Sequence, residues 1–372
     1  MVPFWDDLQD LADTALEPNA FYEPMMLKPA LAAFGTGRLR LVLVHAILPN
    51  DGRRRRLLCG FFPFELERHY RSVPVRTLRS WLHLHSFLGT PLLRRGYAER
   101  TIARFLDWAA SPAAGARIIE FRQVTTDGPV HRHMLDEMHA RGLTTCVTDW
   151  HVRALLTHAS SSAEGVRAAL GWKKSKELSR LERRLRERGT VTFDELTSAS
   201  DVDRWVDQFL SLEADGWKGR AASALLCDER QAEFFRTCVQ GAFARRRLTA
   251  LAMRLDGRPI AMKFNFHTAG ASFAFKIAYA EDLARFSPGV LLEIENIRRF
   301  DRASQIDWMD SCADPHHPMI DHLWHERRAI QTLVVSASAT RGAATVATLP
   351  LLKWLATRWR PRHAAAALEN SR

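Results

Sequence analysis

The sequence predicts an α/β (α+β) protein of two similar halves, each a mixed, mostly antiparallel sheet flanked by helices. Three observations predict it. Asp51-Gly52 and Asp256-Gly257 each lie between apolar runs, the signature of a hairpin. Each hairpin is followed by the same series: strand, loop, helix, short strand, helix, strand. The 372 residues, at roughly 150 per domain, leave room for two such units.

Residues 1–35 read as helices, with Trp5, Leu8, Leu11 and Ala12 at helical spacing and Pro24 and Pro29 as punctuation. Strands at 38–46 and 57–66 form the first hairpin, and the alternating WLHLHSF at 81–87 reads as a third strand. A loop (88–96), an amphipathic helix (97–110), a short buried strand (116–121), a helix (128–142) and a strand (144–150) follow. The second half repeats the order. Its strands are 247–255, 258–266 and 271–280, followed by a loop at 281–289, a helix at 290–300 and a strand at 305–310. A helix at 317–329 and a strand at 330–337 end it. The shared order implies an ancient duplication. The expected units are 1–160, then 161–345 with a leading basic helix, then a basic amphipathic tail at 346–372.

Hydrophobic residues at 47% and charged residues at 26% are the balance of a globular protein, and 20 Phe with 11 Trp argue against disorder. No apolar run approaches the roughly 20 residues that span a bilayer. The N-terminus lacks a basic segment followed by an apolar one, so no secretory signal is read and a cytoplasmic location is expected. Five scattered cysteines without a C-x-x-C pair fit neither a disulfide framework nor a zinc ribbon.

A net charge of +11 attracts anions. Arg53–Arg56 form one basic run, and 172–189 another, with eight cations against Glu177, Glu182 and Glu187. The second fits a solvated surface helix with Leu178, Leu181 and Leu185 inward, and it also fits a surface for RNA, anionic lipid or polyphosphate. The tail sets Leu351, Leu352, Trp354, Leu355 and Trp359 among Lys353, Arg358, Arg360 and Arg362. This suits peripheral membrane contact or packing on its own domain.

The segments LEADGWKGRAASALL (212–226), LDGRPIAMKFNF (255–266), FKIAYAEDLARFSPGVLLEIENI (275–297) and MDSCADPHHPMIDHLWHERR (309–328) resemble a family of bacterial acetyltransferases. These are the GNAT-type enzymes of the cellulose- and exopolysaccharide-biosynthesis kind. EPNAFYEPMML (17–27), CGFFPFEL (59–66) and SFLGTPLL (86–93) extend the likeness over about 1–340. That family is similar in turn to the tandem-GNAT Fem-type aminoacyl transferases. The resemblance implies tandem GNAT-like domains, with acetyl-CoA or another acyl-CoA as co-substrate and a polar acceptor.

In that fold two parallel strands part, an acyl thioester enters between them, and the donor pyrophosphate rests on the next helix N-terminus. Arg285, Ser287, Gly289, Val290 and Leu291 occupy that place here. The glycine spacing departs from the family signature, and Pro288 removes a donor. The first half has no such loop, so it is expected to shape the acceptor cleft. Asp310 is the candidate base and Lys276 a charge-neutralising group. Glu213 is a third candidate, with Trp217, Lys218 and Tyr279 as substrate-binding residues. Each of these also suits a structural role. The 310–325 segment is rich in Asp, Cys and His, yet no spacing matches a metal pattern, and no metal is expected. Cys312 offers a minor acyl-cysteine route.

The leading expectation is an acyl-CoA-dependent N- or O-acyltransferase acting on a sugar, amino-sugar or related surface-polysaccharide precursor. The alternatives are a Fem-like enzyme using aminoacyl-tRNA, for which tRNA is the partner, and a non-catalytic assembly factor.

Overall fold

The computed structural model describes residues 2–50 and 53–358. The Asp51-Gly52 turn and the tail beyond Arg358 lie outside the described residues. Among these, twelve strands build one sheet: β1 (Leu39–Asn50), β2 (Arg53–Glu67), β3 (Thr77–Ser80), β4 (Leu92–Leu93), β5 (Ile118–Thr125), β6 (Thr145–Thr157), β7 (Val191–Glu195), β8 (Leu248–Leu255), β9 (Arg258–Thr268), β10 (Gly270–Tyr279), β11 (Ile306–Asp310) and β12 (Glu326–Ser336). Their order is β1-β2-β3-β5-β12-β6-β11-β10-β9-β8-β7, with β4 paired to β2. All pairings are antiparallel except β3 with β5 and β10 with β11. Hairpin, third strand and parallel neighbour thus appear at both ends. At the centre the last strands cross over: β12 pairs with β5, and β6 pairs with β11.

The helices are α1 (Val2–Asp13), α2 (Pro24–Phe34), α3 (Ala98–Ala110), α4 (Pro129–Ala140), α5 (His158–Ser161), α6 (Ala163–Arg186), α7 (Val202–Ala214), α8 (Trp217–Arg220), α9 (Glu229–Ala244), α10 (Pro288–Arg302) and α11 (Ala343–Arg358). Pro24, Pro129 and Pro288 each open a helix, where a missing N–H costs nothing. α3 buries Ile102, Phe105, Leu106 and Ala109 against Phe62, Phe64 and Phe121 of the sheet. Each large side chain buried there contributes about 1.5–3 kcal/mol. α6 is interrupted at Gly171, whose φ of 68° suits glycine. Past that break Leu178 and Leu185 are buried while Lys173, Lys174, Lys176, Arg180, Arg183 and Arg184 are exposed. No helix among the described residues is long and apolar enough to cross a membrane.

Two expected elements differ. Residues 81–87 are irregular, and the third strand is Thr77–Ser80. The alternation is real, but Trp81, His83 and His85 pack among Phe34, Phe234 and Phe275 instead of joining a ladder. The helix expected at 317–329 is also absent. A 3-10 turn at Ile320–His322 is followed by β12, because Glu326–Arg328 pair with β6 at Leu155–Arg153.

Candidate active site

The parallel pair β10–β11 ends at Phe273 opposite Asp310. β11 stops there while β10 runs on to Tyr279, which leaves one edge of β10 without that neighbour. Within this stretch Ala274 faces Asn265 and Lys276 faces Phe264 on β9, so Phe275 is an extra, bulged residue. A bulge breaks the ladder and leaves a backbone group unpaired, so it can re-aim a strand at a site.

One wall of the opening comes from α7 and α8. Glu213 is 3% exposed. Its Oε1 accepts from Lys218 Nζ at 2.8 Å and its Oε2 from the Leu225 N–H at 2.9 Å. A small cavity of about 30 Å³ is lined by Glu213, Trp217, Lys218, Tyr279 and Glu281, among others. Trp217 is exposed beside it. Glu281 accepts from the Trp217 N–H at 2.5 Å and from Arg220 at 2.6 Å, tying α8 to the loop before α10. Burial pushes the Lys276 ammonium down to about 8; Glu213 opposes this and Lys218 adds to it. Near neutral pH a measurable fraction of Lys276 is therefore a free amine.

The first half reaches this wall through His85. Its Nε2 hydrogen-bonds Gln231 Oε1 at 2.9 Å, and its ring stacks on Phe234 with centroids 5.6 Å apart. Burial, then Lys276, push His85 down to about 4, so it is neutral.

The start of α10 is where the sequence resemblance leads one to expect an acyl donor. Ser287 is left-handed at φ 53° and its side chain does not cap the helix. Its carbonyl accepts from both Val290 and Leu291, at 3.0 and 3.1 Å. Pro288 has no N–H, so among the described residues Gly289 carries the one backbone donor left free at this end. Gly289 has no positive φ; a Cβ there would meet Tyr279 at 3.4 Å and Met319 at 4.0 Å. Arg285 and Arg188 both lie over the Phe286 ring, 4.9 and 5.6 Å from its centre. The terminus thus has one amide left, and two guanidiniums lie over the ring of the nearby Phe286. It does not offer the nest of amides expected from Val290 and Leu291, whose donors are spent on Ser287.

Asp310 is sealed. It is fully buried, and Oδ2 accepts from Arg153 at 2.6 Å and from Arg328 at 3.0 Å. Oδ1 accepts from the Cys312 N–H at 2.9 Å. Burial alone would raise its carboxyl, but Arg153 and Arg328 outweigh that and hold it below the ordinary carboxylate value. A carboxylate so committed is a poor proton acceptor, and its place is as a clamp joining β11 to β6 and β12. The thiol of Cys312 is pushed well up by burial and by Asp310, which disfavours the thiolate that an acyl-cysteine route needs.

A model of the GNAT acetyltransferase domain matches residues 173–316, which contain α7 to β11 and so most of this site. The chain has a GNAT-related fold. No curated protein matches it. Among solved structures it is similar to the C-terminal domain (DUF2156) of an Agrobacterium fabrum protein described as a lysylphosphatidylglycerol synthetase. The identity is 14% and the TM-score 0.55, over 94% of this chain and 96% of that one. It is similar to FemX at 8% identity and TM-score 0.54, over 89% and 95% of the two chains. A conserved Bacteroides thetaiotaomicron protein of unknown function gives 9% and 0.55, over 90% and 97%. At these identities the likeness is one of fold.

Glu213, Trp217, Lys218, Lys276 and Tyr279 therefore form one wall, with Gly289 packed under Tyr279. Arg285 joins the start of α10, while Asp310 stands apart in its clamp. Sequence reasoning missed His85, Gln231 and Arg188. His85 looked like a strand residue, and Arg188 was one cation in a long run.

Proposed function

We propose that the chain is an acyltransferase that moves an activated acyl group onto the amine or hydroxyl of a polar acceptor. The observation that carries this reading is the collection of Glu213, Trp217, Lys218, Lys276 and Tyr279 at the opening where β10 outruns β11. The acceptor's amine nitrogen or hydroxyl oxygen attacks the acyl carbonyl to give a tetrahedral oxyanion. Its collapse breaks the bond between the acyl carbon and the donor, and the donor leaves with the proton that Lys276 has collected. The neutral fraction of Lys276 takes the proton, and the bulge at Phe275 supplies a backbone N–H for the oxyanion. Glu213 is held by Lys218 and the Leu225 N–H, and it tunes Lys276. Sugars, amino sugars or related precursors of surface polysaccharide are the acceptor class favoured by the sequence resemblance. The repeated strand order supports reading the chain as two GNAT-like units, 1–160 and 161–345, that exchange their last strands.

An acyl-CoA is the donor in this reading, its phosphates resting on Gly289, Arg285 and Arg188. A thermal-shift titration with acetyl-CoA tests it. At a hundredfold excess over Kd the ligand should add about 2.7 kcal/mol, and Arg188→Glu with Arg285→Glu should abolish the shift. The incomplete amide cradle, together with the exposed cations of α6, favours a second donor, an aminoacyl-tRNA. Binding of charged tRNA that weakens steeply with salt, without any acyl-CoA shift, would move the donor to this second reading. Absence of both responses would overturn the acyltransferase reading.

A further inference from the structure

The last helix has apolar residues on two faces. Val346 and Leu349 of α11 are buried against Tyr70, Ile118 and Val334. Leu351, Leu352 and Trp354 are 56%, 42% and 50% exposed. A helix packed by one apolar face needs a polar opposite face in water, and this one lacks it. Alongside runs a groove of about 530 Å³ lined by Tyr70, Val73, Val147, Leu349, Pro350 and Trp354, among others.

The surroundings are largely cationic, although β6, which lines the groove with Val147 and Thr148, also carries the exposed Asp149. Arg68, Arg71 and Arg76 are exposed in the turn that packs on α11, and Lys353 sits on the groove with Nζ 3.0 Å from the Thr148 carbonyl oxygen. The sequence has no carboxylate between Glu67 and Glu99, and none between Glu326 and Glu369. These two stretches supply the turn and the helix. A second copy docked by two-fold symmetry would set these cations against themselves. An anionic surface with an apolar interior complements both features.

We propose that the face formed by α11 and the 68–76 turn docks on an anionic lipid bilayer. Leu351, Leu352 and Trp354 enter the boundary between headgroups and acyl chains, and the arginines meet the lipid phosphates. This inference does not depend on the donor or acceptor of the proposed reaction.

The test is co-sedimentation of the full chain with vesicles of phosphatidylcholine and phosphatidylglycerol at 70:30, against pure phosphatidylcholine. The mixed vesicles should bind the chain at least tenfold better, and the difference should shrink as salt is raised. Leu351→Ser with Leu352→Ser and Trp354→Ser should cut binding at least tenfold. These positions are exposed, so the melting temperature should hold and verifies the fold. Trp172→Ser with Leu226→Ser, exposed elsewhere, should bind like the parent. Absence of binding to the mixed vesicles, or wild-type binding by the triple variant, would overturn the proposal. So would a dimer in sedimentation equilibrium that the triple variant converts to monomer.

Discussion

Glu213 and Asp310 are the two buried carboxylates that sequence reasoning placed in the chemistry, and the fold holds them in opposite ways. Asp310 has two guanidiniums and a backbone N–H, all from within the sheet and its adjoining loop. Glu213 has one partly exposed lysine and one N–H, and it borders a cavity. The same functional group is a clamp in one place and a tuning charge in the other. The difference lies in what surrounds it, not in how deeply it is buried.

The largest effect should come from breaking the clamp. Asp310→Ala leaves Arg153 buried without its counter-charge and Arg328 with only Glu17, at 3.7 Å, which should cost about 3–5 kcal/mol in chemical denaturation. Adding Arg153→Met should recover part of the loss. The pH dependence has a fixed sign. Because the folded-state pKa of Asp310 is depressed, its stabilisation is present above the unfolded value of about 3.9 and is lost as pH falls through the folded value. The gap between wild type and Asp310→Asn should therefore close in acid. A cost for Asp310→Ala no larger than that of Glu213→Gln would abolish the contrast.

On the open side the effect should fall on rate. Lys276→Met should lower turnover about 10²-fold without lowering stability at neutral pH, since it removes an ammonium that burial disfavours. The folded pKa of about 8 lies below the ordinary lysine value of 10.5, so the unfolded chain holds more protons between them. Wild-type stability should gain from this group as pH rises across that window, and Lys276→Met should flatten the gain.

The contrast also marks what could be read from sequence. The hairpins and α3 were legible because their apolar periods are local. So was the wall, because Glu213, Trp217 and Lys218 lie within six residues and Lys276 and Tyr279 within four. The clamp was not, because Arg153 is 157 residues from Asp310 in sequence, and only the pairing of β6 with β11 brings them together. The period-two pattern at 81–87 predicted a strand because alternation reports a buried face, not a hydrogen-bonded partner. Here that face is filled by aromatic rings from both halves.

Trp217→Ala should act more weakly. The ring is 55% exposed, so stability should stay within about 0.5 kcal/mol. If the ring walls the acceptor site, the acceptor KM should rise with kcat nearly unchanged, the pattern of lost uniform binding. A fall in kcat alone would instead place Trp217 beside the reacting atoms.

The smallest effect on the fold should be at Gly289. Its φ is not positive, and a Cβ would sit at ordinary contact distance, 3.4 Å, from Tyr279. Gly289→Ala should therefore shift stability by less than about 1 kcal/mol, with helix propensity favouring alanine. Gly289→Val adds methyl groups against Tyr279 and over the one free amide of the α10 terminus. It should keep a cooperative melt while weakening acyl-CoA binding. Melting temperature and donor affinity measured on one preparation separate the cases. A stable valine variant with wild-type affinity would mean that Arg188 and Arg285 hold the donor without the helix terminus. Loss of both properties together would mean that Gly289 serves the packing of Tyr279.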